Sequence, residues 1–67
     1  MSTKYLVFSV FDDEWYKNES FDTQEDAMAV YHNLLDTRLD EITSIEVVRQ
    51  DRRGFKFEQT TIIKAVL

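Results

Sequence analysis

Residues 22–35, Asp22-Thr23-Gln24-Glu25-Asp26-Ala27-Met28-Ala29-Val30-Tyr31-His32-Asn33-Leu34-Leu35, decide the fold. Asp22 or Thr23 can accept a hydrogen bond from a free backbone N–H at a helix start. Asp22 with Glu25, or Thr23 with Asp26, has the spacing of a capping box. The acids there complement the positive end of a helix dipole. Beyond the cap, Ala27, Val30, Tyr31, Leu34 and Leu35 recur every three or four residues as one apolar stripe, widened by Met28. Gln24, Asp26, Asn33 and Asp36 fall on the outward side. The spacing predicts one amphipathic helix from Thr23 to about Arg38. A single helix of this kind needs a sheet to rest on.

Both flanks supply strands. Upstream, Lys4 to Phe11 is dense in Tyr, Leu, Val and Phe, which suit a pleated, half-buried surface. Leu6, Phe8 and Val10 share one face; Tyr5, Val7, Ser9 and Phe11 share the other. Apolar residues on both faces predict a central strand. Asp12-Asp13-Glu14 reads as a turn, because Asp bonds readily to nearby backbone. Trp15 to Phe21 is more polar and reads as an edge strand in a hairpin with the first.

Downstream, Ile42 to Gln50 alternates as a strand, and Asp51-Arg52-Arg53-Gly54 reads as a four-residue turn with Gly54 suited to a positive φ. Phe55 to Leu67 alternates again, with Phe55 and Phe57 read as core residues. Its end is apolar on both faces, which predicts a central strand or one shared with a partner chain. Residues 1–67 thus form a single α+β domain: a four-stranded antiparallel sheet (β-β-α-β-β) with one helix packed on one face. The other face is expected to keep apolar residues such as Tyr5, Val7 or Phe11 uncovered. With the small core of a 67-residue chain, this predicts a homodimer through a sheet face or edge.

Composition narrows the function. The chain has no cysteine, no proline and one glycine, with 13 acidic and 8 basic residues for a net charge of −5. Disulfide scaffolds and cysteine-rich zinc modules are excluded, and a general nucleic-acid binder would be basic. No apolar run approaches the roughly 20 residues that span a bilayer. The opening Met1-to-Phe11 segment lacks the features of a signal peptide. Cytosol is the expected compartment, no membrane is expected, and the initiating Met reads as the start of a complete small gene product.

The groups that chemistry needs are few. His32 is the only histidine and lies one helical turn before Asp36. The pair supplies at most two metal ligands where a site needs three or four, and a weak surface pair is the plainer reading. Asp12-Asp13-Glu14 lacks the spaced oxygens and the glycine of a calcium loop. Gly54 alone cannot form a phosphate-binding loop. No cofactor, no metal and no enzymatic activity are expected.

Charge divides along the chain. Residues 1–44 hold ten acids and three bases, a net of −7; residues 45–67 hold three acids and five bases, a net of +2. The acids include Asp12, Asp13, Glu14, Asp22, Glu25, Asp26, Asp36, Asp40 and Glu41. The bases gather at Arg49, Arg52, Arg53 and Lys56. The leading expectation is that Asp12, Asp13, Glu14, Asp22, Glu25 and Asp26 form an acidic surface for another protein or nucleoprotein complex with a basic surface. The alternative is a nucleic-acid module on Arg49, Arg52, Arg53 and Lys56, with Phe55 and Phe57 nearby as stacking platforms. A third reading leaves both patches as solubilising surface.

The opening Lys4-Tyr5-Leu6-Val7-Phe8, the Glu19-Ser20-Phe21-Asp22-Thr23 helix start with Ala27 and Tyr31, and the closing Glu58-Gln59-Thr60-Thr61-Ile62 give a further hint. In size, acidity and strand–helix–strand pattern the chain resembles small bacteriophage-encoded inhibitors of host factors, of the anti-CRISPR and anti-defence type. The resemblance implies binding and occlusion of a host protein or nucleoprotein complex without catalysis. It carries over no functional residue.

Overall fold

Thr23 is the residue that starts the helix. Its hydroxyl accepts the backbone N–H of Asp26 at 3.2 Å, and its carbonyl accepts the N–H of Ala27 at 3.3 Å. In the computed structural model, which describes residues 2–37 and 41–67, helix α1 runs Gln24–Thr37. The expected helix end at Arg38, and Asp40 beyond it, lie outside the described residues. The Thr37 hydroxyl donates to the carbonyls of Asn33 and Leu34 in the last described turn.

Strands β1 (Ser2–Phe11), β2 (Trp15–Phe21), β3 (Ile42–Arg53) and β4 (Lys56–Val66) form one antiparallel sheet in the order β2-β1-β3-β4. β1 is central and β2 is an edge, as their composition predicts. α1 crosses one face and buries Ala27 and Tyr31 against Val7, Phe11, Ile42, Ile45 and Val47. The α+β architecture read from the sequence is the one observed.

The covered face is the reverse of the one expected. Tyr5, Val7 and Phe11 lie under the helix, so Leu6, Phe8 and Val10 occupy the open face. Register explains the choice. Val7 stands opposite Val47, and Ser9 stands opposite Ile45, which in turn stands opposite Ala65. Small Ser9 and Ala65 flank Ile45, so the Ala27 side of the helix can come close. Strict alternation then sends Leu6 and Val48, which also face each other and are themselves buried, to the side away from the helix.

β4 is an edge strand, not a central one, because β3 takes β1 as its second neighbour. Its two apolar sets come from an irregularity in pairing. Val47 pairs with Ile63 but Val48 pairs with Thr61, which leaves Ile62 as an extra residue. Such a bulge changes the phase of alternation. Odd positions face outward before it and toward the helix after it, and Ile62 and Ala65 reach the core margin.

Both turns are tight. Asp12 and Asp13 have φ of 53° and 58°, and the Glu14 N–H bonds to the Phe11 carbonyl at 3.0 Å. Positive φ at both central residues marks a type I′ turn, which Asp tolerates better than most residues. The second turn is shorter than expected. Asp51, Arg52 and Arg53 are paired strand residues, and only Gly54 and Phe55 connect the strands. Gly54 at φ 60° occupies the first loop position, where a type II′ turn requires glycine. No helix among the described residues is long and apolar enough to cross a membrane.

Candidate functional site

The six acids singled out in the sequence fall into two groups. β2 separates them: its seven residues span roughly 20 Å at the usual strand rise. Asp12, Asp13 and Glu14 form the β1–β2 turn at one end. Asp22, Glu25 and Asp26 stand at the other, around the start of α1. They do not form one surface.

The second group has structural partners. Asp22 is ion-paired and hydrogen-bonded to Lys4, and that bond and charge hold its carboxyl below the ordinary aspartate range. Glu25 and Asp26 lie in the first turn of α1, where negative charge complements the helix dipole. The first group gains a neighbour instead. α1 carries the chain back along the sheet, and the Asp12 N–H bonds to the Glu41 carbonyl at 2.7 Å. Asp12, Asp13, Glu14 and Glu41 thus meet at one end of the sheet. All four are exposed, and none forms an ion pair among the described residues.

The four bases are split between two faces. Arg49 and Arg53, with Lys56 opposite Arg53, lie on the helix side of the β3–β4 hairpin, interleaved with Asp51 and Glu58. Arg52 lies on the open side opposite Phe57. The Arg49 Nε is 3.2 Å from an Asp51 carboxylate oxygen. Asp51 also accepts the Thr3 hydroxyl at 2.7 Å. That hydroxyl is the main cause of a lowered Asp51 carboxyl; Arg49 adds to it and partial desolvation opposes it. Phe55 and Phe57 are exposed rather than core residues, because Phe55 sits in the turn between β3 and β4 and Phe57, opposite Arg52, is on the side away from the helix. Ser2, the first described residue of β1, already pairs with Arg52.

The acidic turn borders an aromatic hollow that the sequence reading passed over. Phe8, Val10, Trp15 and Tyr16, with Asp13, Glu14 and Glu46, line a shallow depression of about 360 Å³. The rings of Phe8 and Tyr16 lie 6.5 Å apart at 57°. Trp15 stacks on Phe11 at 4.2 Å and 8°. Trp15 and Tyr16 remain more than half exposed. The run Phe11-Asp12-Asp13-Glu14-Trp15-Tyr16 was the available signal: aromatics on both sides of three acids. Glu46 had no such signal, since only register brings it opposite Phe8.

His32 is exposed on α1, with its ring edge-on to Tyr31 at 5.4 Å. Among the described residues no three His, Asp or Glu side chains are placed to share a metal ion. Comparison with protein-family models, with curated proteins and with solved structures finds no match.

Proposed function

We propose that this protein is a non-enzymatic binding protein that contacts and occludes a macromolecular partner through the acidic end of its sheet. The observation that carries the reading is the convergence of Asp12, Asp13, Glu14 and Glu41, exposed and without ion pairs among the described residues, beside exposed Trp15 and Tyr16. Exposed aromatics supply contact area, and a single-sign charge cluster steers an oppositely charged partner. The partner is another protein or nucleoprotein complex with a basic surface. Inhibition of a host protein by a phage-encoded chain is the biological setting that fits the small size and the scarcity of catalytic groups.

A tagged protein, used to capture partners from its native host, tests this directly. The wild type retains a partner that rising salt releases, and the Asp12→Lys, Asp13→Lys, Glu14→Lys variant loses it. Capture that is indifferent to both salt and charge reversal overturns the reading. A second copy of the chain is proposed to join through the open face or the β4 edge, where Val66 and Phe57 are exposed. Sedimentation at the mass of one chain at high concentration removes that part.

The hairpin tip supports a second reading, single-stranded nucleic-acid binding, because Phe55 and Phe57 are exposed beside Arg52 and Arg53. Asp51 and Glu58 among the bases weigh against it. A mobility-shift assay at low salt decides, and no shift eliminates it.

A further inference from the structure

We propose that the depression beside the first turn receives an arginine side chain of the protein partner. The inference rests on the acidic-end reading above and names what that end holds.

The lining pairs two kinds of group that a guanidinium needs. Phe8, Val10 and Tyr16 give an apolar floor and wall, and Asp13, Glu14 and Glu46 stand around it. Among the described residues no lysine or arginine lines it; Lys64 stands opposite Glu46 across the β3–β4 pair. No ion pair among the described residues joins those two. The hollow therefore complements a positive charge carried on an apolar stem.

Its size and shape select further. About 360 Å³ is at the small end of ligand pockets, roughly 300–1,000 Å³, and suits one side chain better than a cofactor. The Phe8 and Tyr16 rings, 6.5 Å apart and inclined at 57°, both belong to residues that line the hollow. A cation over such a ring is attracted by its quadrupole. The Thr61 hydroxyl donates to Glu46 Oε2 at 2.5 Å, which fixes that carboxylate on the β3 side. Asp13 and Glu14 come from the opposite, turn side. A planar guanidinium stacks on a ring while its N–H groups reach carboxylates on two sides. A lysine ammonium is a strongly hydrated point charge and does this less well. The arginine methylenes cover Val10 and Phe8.

Amide NMR shifts report occupancy, because Phe8, Val10 and Tyr16 of β1 and β2 line the depression. The full chain is titrated with acetylated, amidated Gly-Arg-Gly at fixed ionic strength. Parallel titrations use the lysine peptide and the citrulline peptide, which has the shape of arginine without its charge. The arginine peptide gives a saturable change with a dissociation constant of about 1–20 mM, or ~2.3–4.1 kcal/mol. Lysine binds about threefold more weakly or worse, and citrulline does not saturate.

Tyr16→Ala and Glu14→Gln each weaken the arginine peptide about three- to fivefold. Both side chains are exposed, and unchanged circular dichroism confirms that both variants are folded. Glu25→Gln, at the far end of the sheet, leaves binding unchanged. An equal response to arginine and citrulline, no saturation by about 50 mM, or wild-type binding by Tyr16→Ala overturns the proposal. Equal binding of lysine overturns the arginine assignment. If charge reversal abolishes partner capture while the peptide fails, the acidic surface stands and the depression falls. If the peptide binds and capture ignores charge reversal, the opposite holds.

Discussion

Ile45 is the residue whose truncation tests the packing most directly. It is fully buried, lies in the first half of β3, and is flanked on the covered face by Ser9 and Ala65. These small neighbours cannot swing in to fill a space. Ile45→Val removes one methylene and costs about 1 kcal/mol; Ile45→Ala costs about 2–5 kcal/mol, lost transfer energy plus an unrelieved cavity. A chain of 67 residues has a total stability of only about 3–10 kcal/mol. The Val variant therefore folds with a Tm about 4–8 °C lower, and the Ala variant loses a large share of the total stability. Urea and thermal unfolding followed by circular dichroism measure both. Ile63→Ala is the control. Ile63 is on the same face opposite Val47 but is 36% exposed, so its loss costs less than half as much. An Ile45→Ala variant within about 0.5 kcal/mol of wild type, or an Ile63→Ala variant equally damaged, would refute the placement of α1 over this row.

Two further outcomes concern turns and charge. Gly54→Ala meets no atom within 4 Å at its new Cβ, yet φ at 60° makes it cost about 1–2 kcal/mol; unfolding in urea with no loss of stability would show that the loop relaxes freely. For Lys4 and Asp22, the lowered carboxyl means that the pair stabilises above the ordinary aspartate value of 3.8 and fades as pH falls below it. Asp22→Asn thus lowers Tm slightly at neutral pH, and the difference closes as the pH falls through the lowered range of the carboxyl. A difference that widens in acid would contradict the pairing.

Local chemistry made most elements legible. The Thr23 cap, the Ala27–Leu35 stripe, the Asp12-Asp13 turn and the limits of β2 depend on neighbours within a few residues. What stayed hidden depends on pairing between distant segments. β1 is apolar on both faces, so nothing within it says which face receives the helix; Val47 and Ile45 across the sheet decide that. The bulge at Val47 and Val48 cannot be seen in β4 alone, and without it the apolar end of β4 reads as a buried strand. The same limit applied to the site. Asp12 and Asp22 are ten positions apart, yet a strand holds them at opposite ends. Glu41 lies far along the chain and still meets Asp12. Arg52 and Arg53 are adjacent in sequence and point to opposite faces.

The strand directions have a mechanical consequence. β1 and β4 both run antiparallel to β3, so they run parallel to each other. Ser2, which pairs with Arg52, and Val66, which pairs with Ser44, therefore lie at opposite ends of the sheet. A pull between these two points loads the β1–β3 and β3–β4 ladders in shear along their whole length. Their hydrogen bonds must then give way together rather than peel one at a time. A chain held by one end and drawn by the other resists as a single unit, although its equilibrium stability is modest.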